Sequence, residues 1–193
     1  RTRHKLMMYL NGKWEMDRFR YAVNTLFQHV NPYTGIAWKD DPAIAWVEYY
    51  NEQSLGLGGR MFSVLQKNPV IREHLLRCWH GWLEKKYGKS MQKAEIPTSA
   101  GEKLSNDFAL FWMDQAKESA LRCEKIIRET GYQGLVSNYS YSKNLGHAAV
   151  RWETIPLVDV HAYFKHPSNW TQKGSVVESD SSIEEETGYW KDS

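Results

Sequence analysis

Five residues of this chain combine chemical capability with a telling position: Asn51, Glu52, Asn138, His161 and Tyr163 each stand at or toward the C-terminal end of a short apolar run. A carboxylic acid beside an amide, an imidazole and a phenol can donate a proton, hold it at a suitable pKa and hydrogen-bond to hydroxyls. Alone, Glu52 reads as a solvated loop carboxylate, His161 as a hydrogen-bonded core histidine and Tyr163 as packing. Their shared position at strand ends is what makes them a candidate site. Glu48 has the strand parity of Glu52 and reads as a structural carboxylate pointing the same way and paired with a neighbour. His29, His147 and His166 show no ligand spacing, so neither a metal nor any other cofactor is expected.

Three runs must position these residues. Asp41-Pro42 opens the apolar stretch 43–50, whose length and β-rich content predict a buried strand ending on Asn51-Glu52. A second strand is predicted over 134–139 and a third over 156–164. In the third, Leu157, Asp159, His161 and Tyr163 share one face, while Val158, Val160, Ala162 and Phe164 share the other. One wholly apolar face, with polar groups toward the strand end on the other, suits a barrel whose inner face leads to a site.

Helical periodicity fills the intervals. Residues 14–29 place Phe19, Val23, Leu26, Phe27 and Val30 on one stripe, and the Asn31-Pro32-Tyr33-Thr34-Gly35 loop ends it. Residues 53–59 form a Gly-rich loop. A strong helix over 69–87 puts Leu75, Leu76, Trp79, Leu83 and Tyr87 on its apolar side, stopped by Gly88. The longest pattern, 104–130, buries Phe108, Phe111, Trp112, Ala116, Ala120, Cys123 and Ile127 and stops at Gly131. Strands separated by helix-bearing connections predict an α/β fold with parallel strands, because parallel neighbours need crossovers.

Composition excludes several functions. The formal charge of +2 arises from nearly balanced acids and bases without a basic stripe, so nucleic acid is not an expected partner. No apolar stretch has the length to span a bilayer, so no membrane partner is expected. Cys78 and Cys123 form neither a metal pattern nor a disulfide framework and read as two buried thiols. Nine Trp and eleven Tyr exceed ordinary usage; they serve either as large core side chains or as platforms for sugar or nucleobase faces.

Glycoside cleavage needs one carboxyl to protonate the leaving oxygen, and the strand-end residues supply that equipment. The stretch His29-Val30-Asn31-Pro32-Tyr33-Thr34-Gly35, then Lys39-Asp40-Asp41-Pro42-Ala43 and Val47-Glu48-Tyr49-Tyr50-Asn51-Glu52, resembles the approach to strand four of clan A glycoside hydrolases. It is closest to cellulase-like, family 5-related (β/α)₈ barrels. Trp79 to Gly88 resembles the helix that follows, Asn138-Tyr139 the end of strand five, and Asp159 to Phe164 with His166-Pro167 strand six. The resemblance runs from His29 to Pro167 with the motifs in order. It implies that Glu52 is the acid/base, that Asn51 binds the sugar 2-hydroxyl, and that His161 and Tyr163 line the site with Asn138. The substrate it implies is a β-linked glycoside or polysaccharide, cleaved with retention.

Only three strands are predicted in 193 residues, and Glu178, Glu184, Glu185 and Glu186 follow no apolar strand that would make one of them a nucleophile. The expectation is therefore a partial (β/α)₈ TIM barrel. Residues 1–193 would be its central portion, from helix three to just past strand six, with the nucleophile beyond the C-terminus. Such a piece alone would be inactive. Its compartment is left open, secreted or periplasmic being compatible with the family. Two rivals stay open: a carbohydrate-binding barrel without catalysis, and a self-contained α/β domain of unrelated function.

Overall fold

The computed structural model describes residues 2–50, 59–88, 91, 93–98, 102–138, 150, 153–154 and 157. In chain order these form α1 (Thr2–Tyr9), α2 (Lys13–Phe27), a 3-10 turn (Trp38–Asp40), β1 (Trp46–Glu48), α3 (Gly59–Lys67), α4 (Pro69–Tyr87), α5 (Ser105–Arg128) and β2 (Leu135–Ser137). The fold is a mixed helix and strand assembly around a two-stranded parallel sheet, β1 beside β2. The expected α/β class with parallel strands holds at this level. The predicted third strand, 156–164, falls outside the described residues except for Leu157.

Helix α4 begins with Pro69, whose missing N–H costs nothing in a first turn. It ends at Gly88, in the left-handed conformation at φ 64°, where the Gly88 amide donates to Glu84 O at 2.8 Å. Its seam of Ile71, Leu75, Trp79 and Leu83 is buried against Phe108, Phe111 and Trp112 of α5 and against Leu6, Tyr9 and Leu10 at the chain start. Trp79 is the centre: its ring lies 5.2 Å from Phe108 and 5.4 Å from Phe111, and its indole N–H donates to Glu95 O at 3.3 Å. Here the aromatic surplus is core, each ring removing a large apolar area from water.

A second cluster positions the sheet. Val23 and Phe27 of α2 pack with Cys123, Ile126 and Ile127 of α5, with Tyr132, and with Val136 of β2. The two clusters join along α5, which buries Phe108, Phe111, Trp112, Ala116 and Ala120 in the first and Cys123, Ile126 and Ile127 in the second. All seven residues predicted for the buried stripe of α5 are buried. The stripe predicted for α2 is narrower than expected. Leu26 and Val30 are exposed, because periodicity defines a face but the neighbouring elements decide how much of it is covered. Tyr87 is likewise exposed, and Cys78 is half-buried whereas Cys123 is fully enclosed.

Helices α1 and α3 were not delimited by the pattern. Both are short, and α1 has almost no amphipathic stripe to read. The loop after α2 follows its turn chemistry: Asn31 Oδ1 accepts from the Tyr33 amide, Gly35 takes φ 70°, and the Val30–Ala37 bridge closes the turn. No described helix is long and apolar enough to cross a membrane.

Candidate active site

The sheet places the ends of β1 and β2 side by side. Trp46 pairs with Leu135, Val47 with Val136, and Glu48 with Ser137, so paired residues share a face. Val136 is buried in the cluster with α2 and α5, and Val47 packs against it. Trp46 and Leu135, on the opposite face, are 54% and 47% exposed. One face of the sheet thus meets helices while the other begins with uncovered apolar side chains and continues to Glu48 and Ser137. Glu48 is half-buried; the Ser137 side chain is fully enclosed.

The approach to each strand is pinned from the helix side. Tyr132 Oη donates to Ile44 O at 3.0 Å, tying the lead-in of β2 to that of β1. Its ring meets Phe27 edge-on at 5.0 Å, and burial pushes its phenol pKa up, opposed by Arg128. Arg128 Nη1 donates to both Tyr132 O (3.1 Å) and Gly134 O (2.6 Å), so the end of α5 holds the residues that lead into β2.

At the C-terminal ends the ladder closes with a long bond, the Tyr49 amide to Ser137 O at 3.4 Å. Beyond it Asn138 Nδ2 donates to Tyr49 Oη at 2.6 Å. The Tyr49 ring stands edge-on to Phe19 of α2 at 5.8 Å, and Lys5 of α1 lies 5.0 Å from the centroid of Tyr50. Two helices and the neighbouring strand therefore hold the two tyrosines that precede Asn51 and Glu52. Asn51, Glu52, His161 and Tyr163 themselves lie outside the described residues.

Asn138 is the one predicted site residue within them. It is 1% exposed and follows the parity of Val136, the helix-facing side, with its amide bonded to Tyr49. Tyr49 was missed as a contributor by sequence reasoning. The available signal was parity, since Tyr49 alternates with Val47 and so falls on the same face as Asn138. Among the described residues, no three His, Cys, Asp or Glu side chains gather where an ion could be held.

No family model, no curated protein and no solved structure matches this chain.

Proposed function

We propose that this chain contributes neighbouring strands to a (β/α)₈ barrel that hydrolyses β-linked glycosides with retention, Glu52 being the general acid/base. The observation that carries the reading is the sheet: two parallel strands joined by a helical crossover, one face packed against helices, with Asn51-Glu52 following β1 in the sequence after Tyr49-Tyr50. In a barrel the strand C-terminal ends form the catalytic rim, and β1 and β2 would be its strands four and five. Consecutive barrel strands pair side by side and in parallel, as these do.

The chemistry follows from the carboxyl group. Glu52 donates its proton to the glycosidic oxygen as the bond to the anomeric carbon breaks, while a second carboxylate attacks that carbon from the opposite face. Glu52, now ionised, then takes a proton from the water that releases the sugar. Asn51 would bind the sugar 2-hydroxyl, a contact that strengthens as positive charge develops at the ring, with His161 and Tyr163 orienting the substrate. The second carboxylate would stand about 5–5.5 Å from that of Glu52, the spacing of retaining enzymes.

The test is Glu52→Gln in the full-length protein, with turnover measured on two β-glycosides that differ in leaving group. Gln keeps the shape and loses the transferable proton. Substrates with poor leaving groups should slow by about 10²–10⁴-fold, while activated aryl glycosides, which depart with little protonation, should lose much less in the glycosylation step. Equal losses on both would mean that Glu52 acts structurally. Binding of β-linked oligosaccharides by the wild type without turnover would replace this reading with a non-catalytic carbohydrate-binding barrel.

A further inference from the structure

We infer that the connection between α4 and α5 forms a binding site for an organic anion, an apolar body carrying one acidic group. The site lies against the first hydrophobic cluster, whereas the sheet packs on the second. It therefore stands apart from the hydrolase reading.

A cavity of about 690 Å³ opens in this connection, bounded by residues between Met91 and Leu104. Sites for drug-sized molecules run from about 300 to 1,000 Å³. Met91, Ala94, Ile96, Pro97 and Leu104 give it apolar walls. All of these but Pro97 also pack on the first cluster, so the cavity lies on the outer side of a solid core. Two side chains of α4 fasten the wall to that core. Trp79 Nε1 donates to Glu95 O at 3.3 Å, and His80 Nε2 lies 2.8 Å from Ala94 O. A wall fixed in this way needs little ordering when a ligand arrives.

Leu104 adds a second mark. It takes the left-handed conformation at φ 66° just before α5, where its carbonyl accepts from the Phe108 amide at 2.9 Å. Leucine rarely adopts that conformation, and glycine would adopt it freely. Such strain persists where the surroundings hold it, and it gathers at ligand clamps. Here it accompanies a large apolar side chain on the cavity wall, which a glycine would leave bare.

The exposed rim carries Lys93, Glu95, Glu102 and Lys103. Both carboxylates are engaged. Glu95 pairs with Arg72 at 3.1 Å, and Glu102 accepts from the Thr98 amide at 3.1 Å and from its hydroxyl at 2.8 Å. Among the described residues neither Lys93 nor Lys103 has an ion-pair partner. With Glu95 offset by Arg72, two ammonium groups stand against one carboxylate that is already bonded. Apolar walls beneath that excess of positive charge complement an anion with an apolar body. A neutral apolar guest would leave the lysines unused, and a small inorganic anion would leave the walls uncovered.

The probe is anilinonaphthalene sulfonate, an aryl sulfonate that fluoresces in apolar surroundings, set against phenylnaphthylamine, which keeps the rings and lacks the charge. Both are titrated into the native full-length protein. The sulfonate should saturate at one per chain and raise the urea midpoint, as a ligand of the folded state must. Lys93→Gln combined with Lys103→Gln should weaken the sulfonate by about threefold to tenfold, the worth of two solvent-facing ion pairs, and leave the neutral amine unchanged. Added salt should do the same to the wild type. Ala94→Phe, which fills the cavity, should abolish binding of both probes. Lys85→Gln, at an exposed lysine of α4 that does not line the cavity, should alter neither.

No binding of the sulfonate, or binding that lowers the urea midpoint, overturns the inference. So does a lysine variant that binds the sulfonate as tightly as the wild type, or that loses both probes equally. A folded Ala94→Phe protein that still binds overturns it as well. If Ala94→Phe does not fold, the lysine comparison decides by itself.

Discussion

A methyl group added at Gly134 should unfasten the entry to β2. A Cβ built there lies 2.9 Å from Cε2 of Tyr132 and closer still to its Cζ and Oη, a separation that real Cβ atoms do not sustain. The obstacle is a rigid ring that is 1% exposed, held edge-on to Phe27 and bonded through Oη to Ile44 O. It cannot swing aside without leaving its place in the core. Overpacking of this kind costs about 1–3 kcal/mol, and breaking the Tyr132–Ile44 bond adds about 1 kcal/mol. Gly134→Ala should therefore destabilise by about 2–4 kcal/mol, lowering the melting temperature by about 5–15 °C for a chain of this size. Gly81→Ala is the matched control. That glycine is inside α4 with nothing within 4 Å of its added Cβ, so the substitution should stabilise by about 0.4–1 kcal/mol. Both are read by urea unfolding of the purified protein, as a shift in midpoint at constant slope. A Gly134→Ala midpoint indistinguishable from the wild type would refute the reasoning, as would a Gly81→Ala protein less stable than its parent.

The remaining expectations concern titration and thiol chemistry. The hydrogen bond from Lys86, joined by one from Tyr87, holds the Asp107 carboxyl below the usual carboxylate range. A depressed native pKa means that this contribution is complete above the unfolded carboxylate pKa and is lost as pH falls through the lower native value. The pair lies at the surface, with Lys86 exposed and Asp107 half-buried, so the stabilisation is small and is weakened by salt. Asp107→Asn should flatten the acid limb of stability slightly, and an unchanged limb would dismiss the pair. Burial pushes the Cys123 thiol up to about 12 and raises that of Cys78 less, Arg77 and Arg122 opposing it. At mildly alkaline pH a thiol reagent should modify Cys78 while Cys123 reacts only on unfolding; equal native rates would contradict the packing of α5.

How much of this was legible without coordinates differed by element. Helix α4 was readable to the residue because its start and stop are local chemistry: Pro69 in the first turn and Gly88 just past the last. The buried stripe of α5 was readable because a long helix with one apolar side has only one way to hide it. Strand extent was not. Residues 43–50 all read as strand, yet only Trp46–Glu48 pair with β2, with Ala45 and Tyr49 bonding at the two ends, since a strand's hydrogen bonds belong to a partner distant in sequence. The fate of Leu26 and Val30 was hidden for a similar reason, as coverage depends on what packs alongside.

For the candidate site the division is sharper. Composition and order alone singled out Glu52, Asn51, His161 and Tyr163 as chemically able residues toward the ends of apolar runs, because residue type and alternation are properties of the linear chain. Tertiary structure decided what surrounds the approach to them. It set β1 beside β2 in parallel, turned Val47 and Val136 toward the helices, and brought Asn138 within 2.6 Å of Tyr49 across a separation of 89 residues. No local pattern encodes that contact. It exists because burying the second cluster fixes where α5 delivers the chain, and the register of two short strands then determines which side chains meet.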